Sequence, residues 1–199
     1  MTTKILKTPS DSEARIRRVA FRLLLAESEP IAVEQLSAAT GIELERLRPL
    51  LDELAMAGRI RRDESGRVVG SAGLSIIPDR HEIELDGRRF WTWCAYDILG
   101  IFGALGASGR AFSPSPGGPV IELRFARGRP LDNHAVLFRP DEELMTCCEN
   151  VYEEWCPNSN LFADPEQANR WAVQRDIRGR ILDLDEASDL GTKDWAEAV

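Results

Sequence analysis

Apolar residues recur every three or four positions through the first third of the chain, and this spacing predicts three helices. We expect them at about residues 11–26, 32–40 and 43–57, with Ser10 or Asp11 capping the first. Pro49 predicts a kink or a late start in the third helix. Basic segments on either side of a turn at residues 63–66 then predict a hairpin. This pattern favours a winged-helix-like module over residues 1–73.

The pattern changes from about residue 74, where short apolar stretches alternate with a few helical ones. Strands are expected around Ile76 and Ile77, around Ile83 and Leu85 before a tight turn, and at residues 120–125, 135–138 and 181–184. Helices are expected at residues 89–105 and 165–174, and from residue 186 onward, whereas residues 106–118 read as loop. The chain is therefore predicted to be α+β, with the three-helix module followed by a mixed α/β core at residues 74–199 that contains a small antiparallel sheet.

Composition narrows the function classes. The formal net charge of −8 counts against a general nucleic-acid binder, which usually carries a basic face. No apolar run has the roughly 18 residues needed to span a bilayer, and the N-terminus lacks the apolar stretch of a signal peptide. We therefore expect a cytoplasmic protein without a membrane partner. In that reducing compartment the 4 cysteines are expected to be free thiols, ligands or catalysts.

Cys94 stands three residues before Asp97 within the long apolar stretch that predicts the helix at 89–105. Side chains three apart lie on one face of a helix, so the thiol and the carboxylate should be neighbours. A buried cysteine often acts as a small hydrophobic residue. Burying a carboxylate without a partner, however, costs on the order of several kcal/mol. The pair therefore suggests soft-metal or thiol chemistry coupled to a proton.

The other cysteines leave alternatives open. Cys156 beside Trp155 is either an ordinary buried cysteine or a second thiol for the same site. The adjacent pair Cys147 and Cys148 is a rival position for that second thiol. The 2 histidines are too scattered for a Cys/His zinc site, and no Cys-x-x-Cys pair occurs, so structural zinc is not expected. The nearby aromatic residues are expected in the core: Trp91, Trp93, Tyr96 and Phe102.

Several segments, taken in order, resemble the organomercurial (alkylmercury) lyases. The resemblance lies in an aromatic-Cys-Ala-x-Asp stretch, a Gly-Arg-Ala strand start, a Pro-Val strand, and a second cysteine followed by a Phe-Ala pair and a tryptophan. In this chain the corresponding positions are residues 86–99, 109–111 and 119–123, Cys156, Phe162 with Ala163, and Trp171. Pro157 departs from the family pattern, because members often have another cysteine there.

The resemblance implies protonolysis of a carbon–mercury bond. Cys94 and Cys156 would hold mercury as thiolates, and Asp97 would accept a thiol proton and deliver it to the departing carbon. The products would be a hydrocarbon and Hg(II), the latter passed to small thiols or to a mercuric reductase, with no organic cofactor required. The alternatives are a metal-responsive winged-helix regulator and a mercury-binding protein of the same fold without lyase activity.

Overall fold

The computed structural model describes residues 11–199, and the three predicted helices lie within residues 11–56. These are α1 (Asp11–Glu27), α2 (Val33–Thr40) and α3 (Leu44–Met56). Pro49 lies inside α3, which continues on both sides of it. The alternative cap Ser10 lies outside the described residues. Apolar side chains from all three helices are fully buried in one core, as their helical spacing predicts: Ile16, Phe21, Leu36, Leu47 and Leu51.

A hairpin follows the helices, as predicted. Its strands are β1 (Ile60–Arg62) and β2 (Val68–Ser71). The turn is stabilised by Asp63, whose carboxylate accepts hydrogen bonds from the backbone N–H groups of Ser65 and Arg67, both at 3.0 Å. Local side-chain bonding of this kind explains why an Asp-Glu-Ser-Gly segment forms a turn.

The antiparallel sheet is larger than the small one expected, because it has eight strands and includes the hairpin. Its order is β1-β2-β3-β5-β4-β6-β7-β8. The remaining strands are β3 (Leu74–Ser75), β4 (His81–Leu85), β5 (Arg88–Thr92), β6 (Gly109–Pro114), β7 (Val120–Ala126) and β8 (Arg129–Pro130). Strand β3 is shifted from the predicted position, since Ile76 and Ile77 lie just beyond it.

The helix predicted at residues 89–105 is wrong in its first turn and a half. Residues Arg88–Thr92 form β5, which pairs with β4 through the tight turn at Asp86 and Gly87. Phe90 and Thr92 are buried while Arg89 is exposed, which is the alternation of a strand with one buried face. The helix α4 therefore begins only at Ala95 and runs to Leu105.

The loop predicted at residues 106–118 is also wrong in part, because Gly109–Pro114 form β6. This strand is paired along its length with β7 and also with β4. Gly, Ser and Pro are poor strand formers on their own, but pairing on both sides overrides that local preference.

A second sheet of three strands, β10-β9-β11, lies in the C-terminal part. Its strands are β9 (Val136–Pro140), β10 (Asn160–Phe162) and β11 (Gly179–Asp183), accompanied by helices α5 (Glu142–Cys147), α6 (Pro165–Gln174) and α7 (Leu184–Trp195). Helix α6 has the predicted cap, in which Asp164 accepts a 2.8 Å hydrogen bond from the N–H of Gln167. Leu184, predicted as the end of a strand, instead begins α7 because Asp183 caps that helix.

Helix α4 is the centre of the core and packs directly on α7. Gly100 and Gly191 face each other so closely that a Cβ on Gly191 would lie 2.9 Å from the Gly100 nitrogen. Three of the four aromatic residues expected in the core are buried: Trp93, Tyr96 and Phe102. Trp91 is half-buried. Among residues 11–199, no helix combines the length and apolar character needed to cross a membrane.

His81, on β4, makes the stability of this sheet dependent on pH. Its Nδ1 lies 2.8 Å from the Ser113 hydroxyl, and burial, together with the charge of Arg80, lowers its pKa to about 3. The folded protein therefore keeps His81 neutral at pH values where the unfolded chain, with a pKa near 6.5, takes up a proton. This contribution to stability is complete above pH 6.5 and is lost as the pH falls toward 3.

We predict that wild type will lose unfolding free energy relative to His81→Gln, by about 1.4 kcal/mol per pH unit between pH 6 and pH 4. Glutamine can keep a hydrogen bond to Ser113 but cannot take up the proton. Denaturant unfolding of both proteins at each pH measures the difference. A difference that stays constant across this range contradicts the prediction.

Candidate active site

Cys94 and Asp97 are neighbours, as predicted, but the reason is a helix cap and not a shared helix face. Cys94 precedes α4 as its N-cap, in extended conformation. Its backbone N–H donates a 2.7 Å hydrogen bond to the Asp97 carboxylate, while its sulfur accepts a hydrogen bond from the Asp97 N–H. This is a capping box, the reciprocal arrangement that satisfies two backbone donors at a helix start. The spacing of three residues is therefore that of a helix cap.

Cys156 reaches the same helix end from the C-terminal part of the chain. One turn of π-helix, Val151–Trp155, leads into a short 3-10 turn at Cys156–Asn158. Directly after it, the carbonyl of Ser159 accepts a 3.1 Å hydrogen bond from the N–H of Ala95, the first residue of α4. This bond fixes the segment that carries Cys156 against the start of α4.

The two sulfur atoms and a carboxylate oxygen of Asp97 lie within 4.8 Å of one another, and all three residues are buried. Among the cysteine, histidine and carboxylate side chains of residues 11–199, these three form the group whose ligand atoms are close enough to hold one metal ion. A separation of this size is about twice a metal–sulfur bond of roughly 2.3 Å. One soft ion can therefore bind both sulfur atoms with the carboxyl group beside it.

Burial keeps the two thiols of this cluster protonated and brings the pKa of the carboxyl group close to neutral. It raises the pKa of Cys94 well above the ordinary thiol value, and the Cys156 sulfur and the Asp97 charge raise it further. For Cys156 the hydrogen bond from Cys94 lowers the pKa, but burial and Asp97 outweigh it and the net shift is upward. Burial raises the pKa of Asp97 to about 7, although hydrogen bonds from Cys94 oppose the shift. Both thiols are therefore protonated at rest, and Asp97 exchanges its proton near neutral pH.

The turn between β2 and β3, formed by Ala72 and Gly73, packs closely against the Asp97 carboxyl group. Ala72 and Gly73 both have positive φ, of 49° and 84°, as a two-residue hairpin turn requires. The carbonyl of Gly73 accepts a hydrogen bond from Trp93, and that of Ala72 accepts one from the Trp195 ring. A Cβ on Gly73 would collide with the Asp97 carboxyl group. A glycine is therefore needed here for both its conformation and its close approach.

A pocket of about 200 Å³ opens beside the cluster. Asp97 and Cys156 form part of its wall, and Cys94 lies behind them, fully buried. The rest of the wall comes from distant parts of the chain. Among these residues are Arg17 of α1, Arg59 before β1, Arg139 of β9, and Trp93, Tyr96 and Trp155.

Cys147 and Cys148 lie outside this cluster. Cys147 is the last residue of α5 and is exposed, whereas Cys148, which follows it, is buried. Burial raises the pKa of Cys148 to about 11, with Glu154 and Cys147 adding to the shift. Of the two sequence-predicted positions for the second thiol, the structure brings Cys156 to Cys94 and Asp97.

Sequence reasoning missed the residues of the N-terminal part that line the pocket. In the sequence, Arg17 is only a polar position of a helix, and Arg59 is only part of a basic hairpin. The Ala-Gly dipeptide at 72–73 is a recognisable turn signal, but nothing local indicates that the turn contacts Asp97.

Two buried thiols and a carboxylic acid, gathered at a helix N-terminus beside a small pocket, define a protein that can bind a soft metal ion next to a proton donor. The comparisons with known proteins agree with this chemistry. Residues 74–197 match the family model for alkylmercury lyase. The chain is 31% identical over 174 residues to an alkylmercury lyase of Staphylococcus epidermidis, an alignment that covers 84% of this chain and 76% of that protein.

A second relative, an alkylmercury lyase of Bacillus cereus, is 31% identical over 176 residues, covering 84% of this chain and 75% of that protein. Among solved structures, the mercury-bound form of MerB2 superposes with a TM-score of 0.82 at 24% identity, covering 97% of this chain and 94% of that one. The latter likeness confirms the α+β fold. The chain belongs to the alkylmercury lyase family.

We predict that Gly73→Ala will disturb Asp97 as well as the turn. The matched control is Gly87→Ala, since Gly87 occupies the same position of a similar turn, with φ of 81°, but a methyl group added there would have nothing within 4 Å. Each variant should lose about 1–2 kcal/mol for a side chain in the left-handed region. Gly73→Ala should lose more and should also shift the Asp97 carboxyl pKa, measured by carboxyl NMR titration. Equal losses and an unshifted pKa would show that the turn does not position Asp97.

Proposed function

We propose that this protein is an alkylmercury lyase, which cleaves the carbon–mercury bond of an organomercurial to give a hydrocarbon and Hg(II). The observation that carries the proposal is the buried cluster of Cys94, Cys156 and Asp97 within 4.8 Å. Membership of the alkylmercury lyase family supports it. In this proposal mercury is the substrate's metal and the product, and no organic cofactor takes part.

The first step is capture of the organomercurial by a thiol. Mercury is a soft metal and prefers thiolate sulfur. A cysteine thiol displaces the small thiolate that accompanies the substrate: one S–Hg bond breaks, another forms, and the cysteine proton leaves with the departing thiol. Cys156 lies in the pocket wall and Cys94 lies behind it, so an incoming mercury atom meets Cys156 and is then shared with Cys94.

The second step is protonolysis. When the second cysteine binds mercury, its proton passes to the Asp97 carboxylate, which then gives it to the carbon as the C–Hg bond breaks. The electron pair of that bond remains with carbon, so the products are a hydrocarbon and Hg(II) held by two thiolates. A pKa of about 7 suits Asp97 to both halves of this transfer.

Release requires ligands that compete with two thiolates. Small external thiols would exchange with the bound Hg(II) and return the protons to Cys94 and Cys156, and a mercuric reductase is a fitting acceptor for the product. We also propose a cytoplasmic location, because the 4 cysteines are all unpaired and the mechanism needs them reduced.

We further propose that residues 1–73 form a winged-helix-like module, with residues 74–199 as the catalytic core. The order of three helices and a hairpin supports the module. Its basic hairpin is engaged within the protein, since Arg61, Arg62 and Arg67 pair with Asp79, Asp52 and Asp63 respectively. Nucleic-acid affinity depends on cations that can neutralise phosphates, so this pairing disfavours a DNA-binding role.

The proposal predicts which side chains are needed for hydrocarbon release. In Cys94→Ser and Cys156→Ser, catalytic release of methane from methylmercury should be abolished, because a hydroxyl is a poor ligand for mercury. Serine at 94 can still cap α4, so the fold should persist. Asp97→Asn should still bind mercury but release methane about 10²–10⁴-fold more slowly, since the amide cannot relay a proton. Headspace gas analysis with excess small thiol measures each rate.

Cys147→Ser is the control, because Cys147 is exposed and outside the cluster, and it should release methane at the wild-type rate. Full activity in Cys156→Ser would move the second thiol to Cys147 or Cys148. Stoichiometric mercury binding by wild type without any methane would refute the lyase and leave a mercury-binding protein.

A further inference from the structure

The pocket wall carries an excess of hydrogen-bond donors. Four buried side-chain N–H groups of its residues have no hydrogen-bond acceptor among residues 11–199, namely those of Arg17 Nε, Arg139 Nε, Trp93 Nε1 and Trp155 Nε1. A buried donor without a partner costs free energy, so such groups in a native protein call for an explanation. All four groups are hydrogen-bond donors, so a ligand that satisfies them must supply acceptor atoms.

The positively charged arginines of the pocket wall also indicate a ligand that supplies acceptor atoms. Burial and the neighbouring Arg59 lower the pKa of Arg17 to about 10, although Glu13 and Asp97 offset part of this effect. Burial likewise lowers the pKa of Arg59, although Cys148 and Glu13 offset part of this effect. Arg17 and Arg59 are therefore two like charges held close together in a partly buried wall.

Arg139 differs from this pair because its charge is already used. Its guanidinium lies 3.6 Å from Glu142 and 3.8 Å from Asp194, and it stacks on the Tyr96 ring at 5.1 Å. Arg17 and Arg59, whose lowered pKa values Glu13 offsets only in part, are the remaining guanidinium groups of the pocket that can receive an anion.

We propose that Arg17 and Arg59 form a subsite for the carboxylate of the small thiol that carries the organomercurial into the pocket. This inference rests on the proposed lyase function. The guanidinium group presents paired N–H donors that match the two oxygens of a carboxylate. The pocket that contains these arginines also contains Cys156, so an R–Hg–S group attached to a short carboxylate can reach the thiol while its carboxylate contacts the arginines.

The subsite would act at the exchange step and leave protonolysis unchanged. Cys156 forms its S–Hg bond as the bond from mercury to the carrier sulfur breaks, and the Cys156 proton leaves on the carrier thiol. The arginines hold the carrier during this exchange and do not contact the carbon that is protonated. The pocket volume of about 200 Å³ favours a small carrier.

The test compares carriers of different charge in single turnovers, with enzyme in excess over preformed one-to-one complexes of methylmercury. The carriers are 3-mercaptopropionate, 2-mercaptoethanol and cysteamine, which are anionic, neutral and cationic. Wild type should reach half-saturation at about tenfold lower concentration with the anionic complex than with the neutral one, as charge-assisted hydrogen bonds would give. The limiting rate of methane release should be the same within about twofold.

Arg17→Gln and Arg59→Gln should abolish the preference for the anionic carrier, measured as the ratio of the half-saturation concentrations of the anionic and neutral complexes within each variant. Arg18→Gln is the matched control: it removes the next residue of α1, which does not line the pocket, and should keep the preference. If Arg17→Gln does not fold, Arg17→Lys keeps the charge and should retain part of the preference while losing the paired donors.

Equal half-saturation for anionic and neutral complexes in wild type would overturn the subsite while leaving the lyase intact. Absence of methane from every complex would refute the lyase itself. A final comparison uses phenylmercury and 4-carboxyphenylmercury, both as 2-mercaptoethanol complexes. A preference confined to the carboxylated aryl group would place the carboxylate on the organic group and overturn the assignment to the carrier thiol.

Discussion

The reciprocal hydrogen bonding between Cys94 and Asp97 is the interaction on which the rest of the site depends. It starts α4, the most buried of the helices between residues 11 and 199, and at the same time holds the thiol and the carboxyl group side by side. A carboxyl group in such an apolar setting is costly to bury, and the backbone donor of Cys94 offsets part of that cost. The chemistry-bearing groups therefore belong to the fold itself. Replacing either of them without keeping its capping ability disturbs the helix as well as the reaction.

The site depends equally on contacts between segments that are far apart in sequence. The turn at Ala72 and Gly73 covers Asp97, and the carbonyl of Ala57 accepts a hydrogen bond from Val151, where the π-helical turn leading to Cys156 begins. The first 73 residues contain none of the three proposed catalytic residues. Residues 11–73 nevertheless contact both Asp97 and the segment that carries Cys156, and they contribute Arg17 and Arg59 to the pocket wall.

The sequence allowed the helices with clear caps to be predicted, because a cap such as Asp164 acts within one turn. It misassigned β5 and β6, where pairing with neighbouring strands decided between strand and helix or loop. The nearness of Cys94 and Asp97 followed from their spacing, since capping and helical periodicity both join residues three apart. The choice of Cys156 needed the family resemblance. The pocket residue from α1, Arg17, could not be predicted from the sequence, because its place in the pocket arises only from long-range packing.

The resting protonation of the cluster fixes the order of the proposed steps. Without mercury, both thiols have pKa values above the ordinary thiol range, while that of Asp97 is about 7. Transfer of a proton from either thiol to Asp97 is therefore uphill in the free enzyme. Mercury reverses this order, because a coordinated thiol is readily deprotonated. Binding of a thiolate to mercury must then precede the transfer of that thiol's proton to Asp97, and by that point the C–Hg bond is already held beside the carboxyl group.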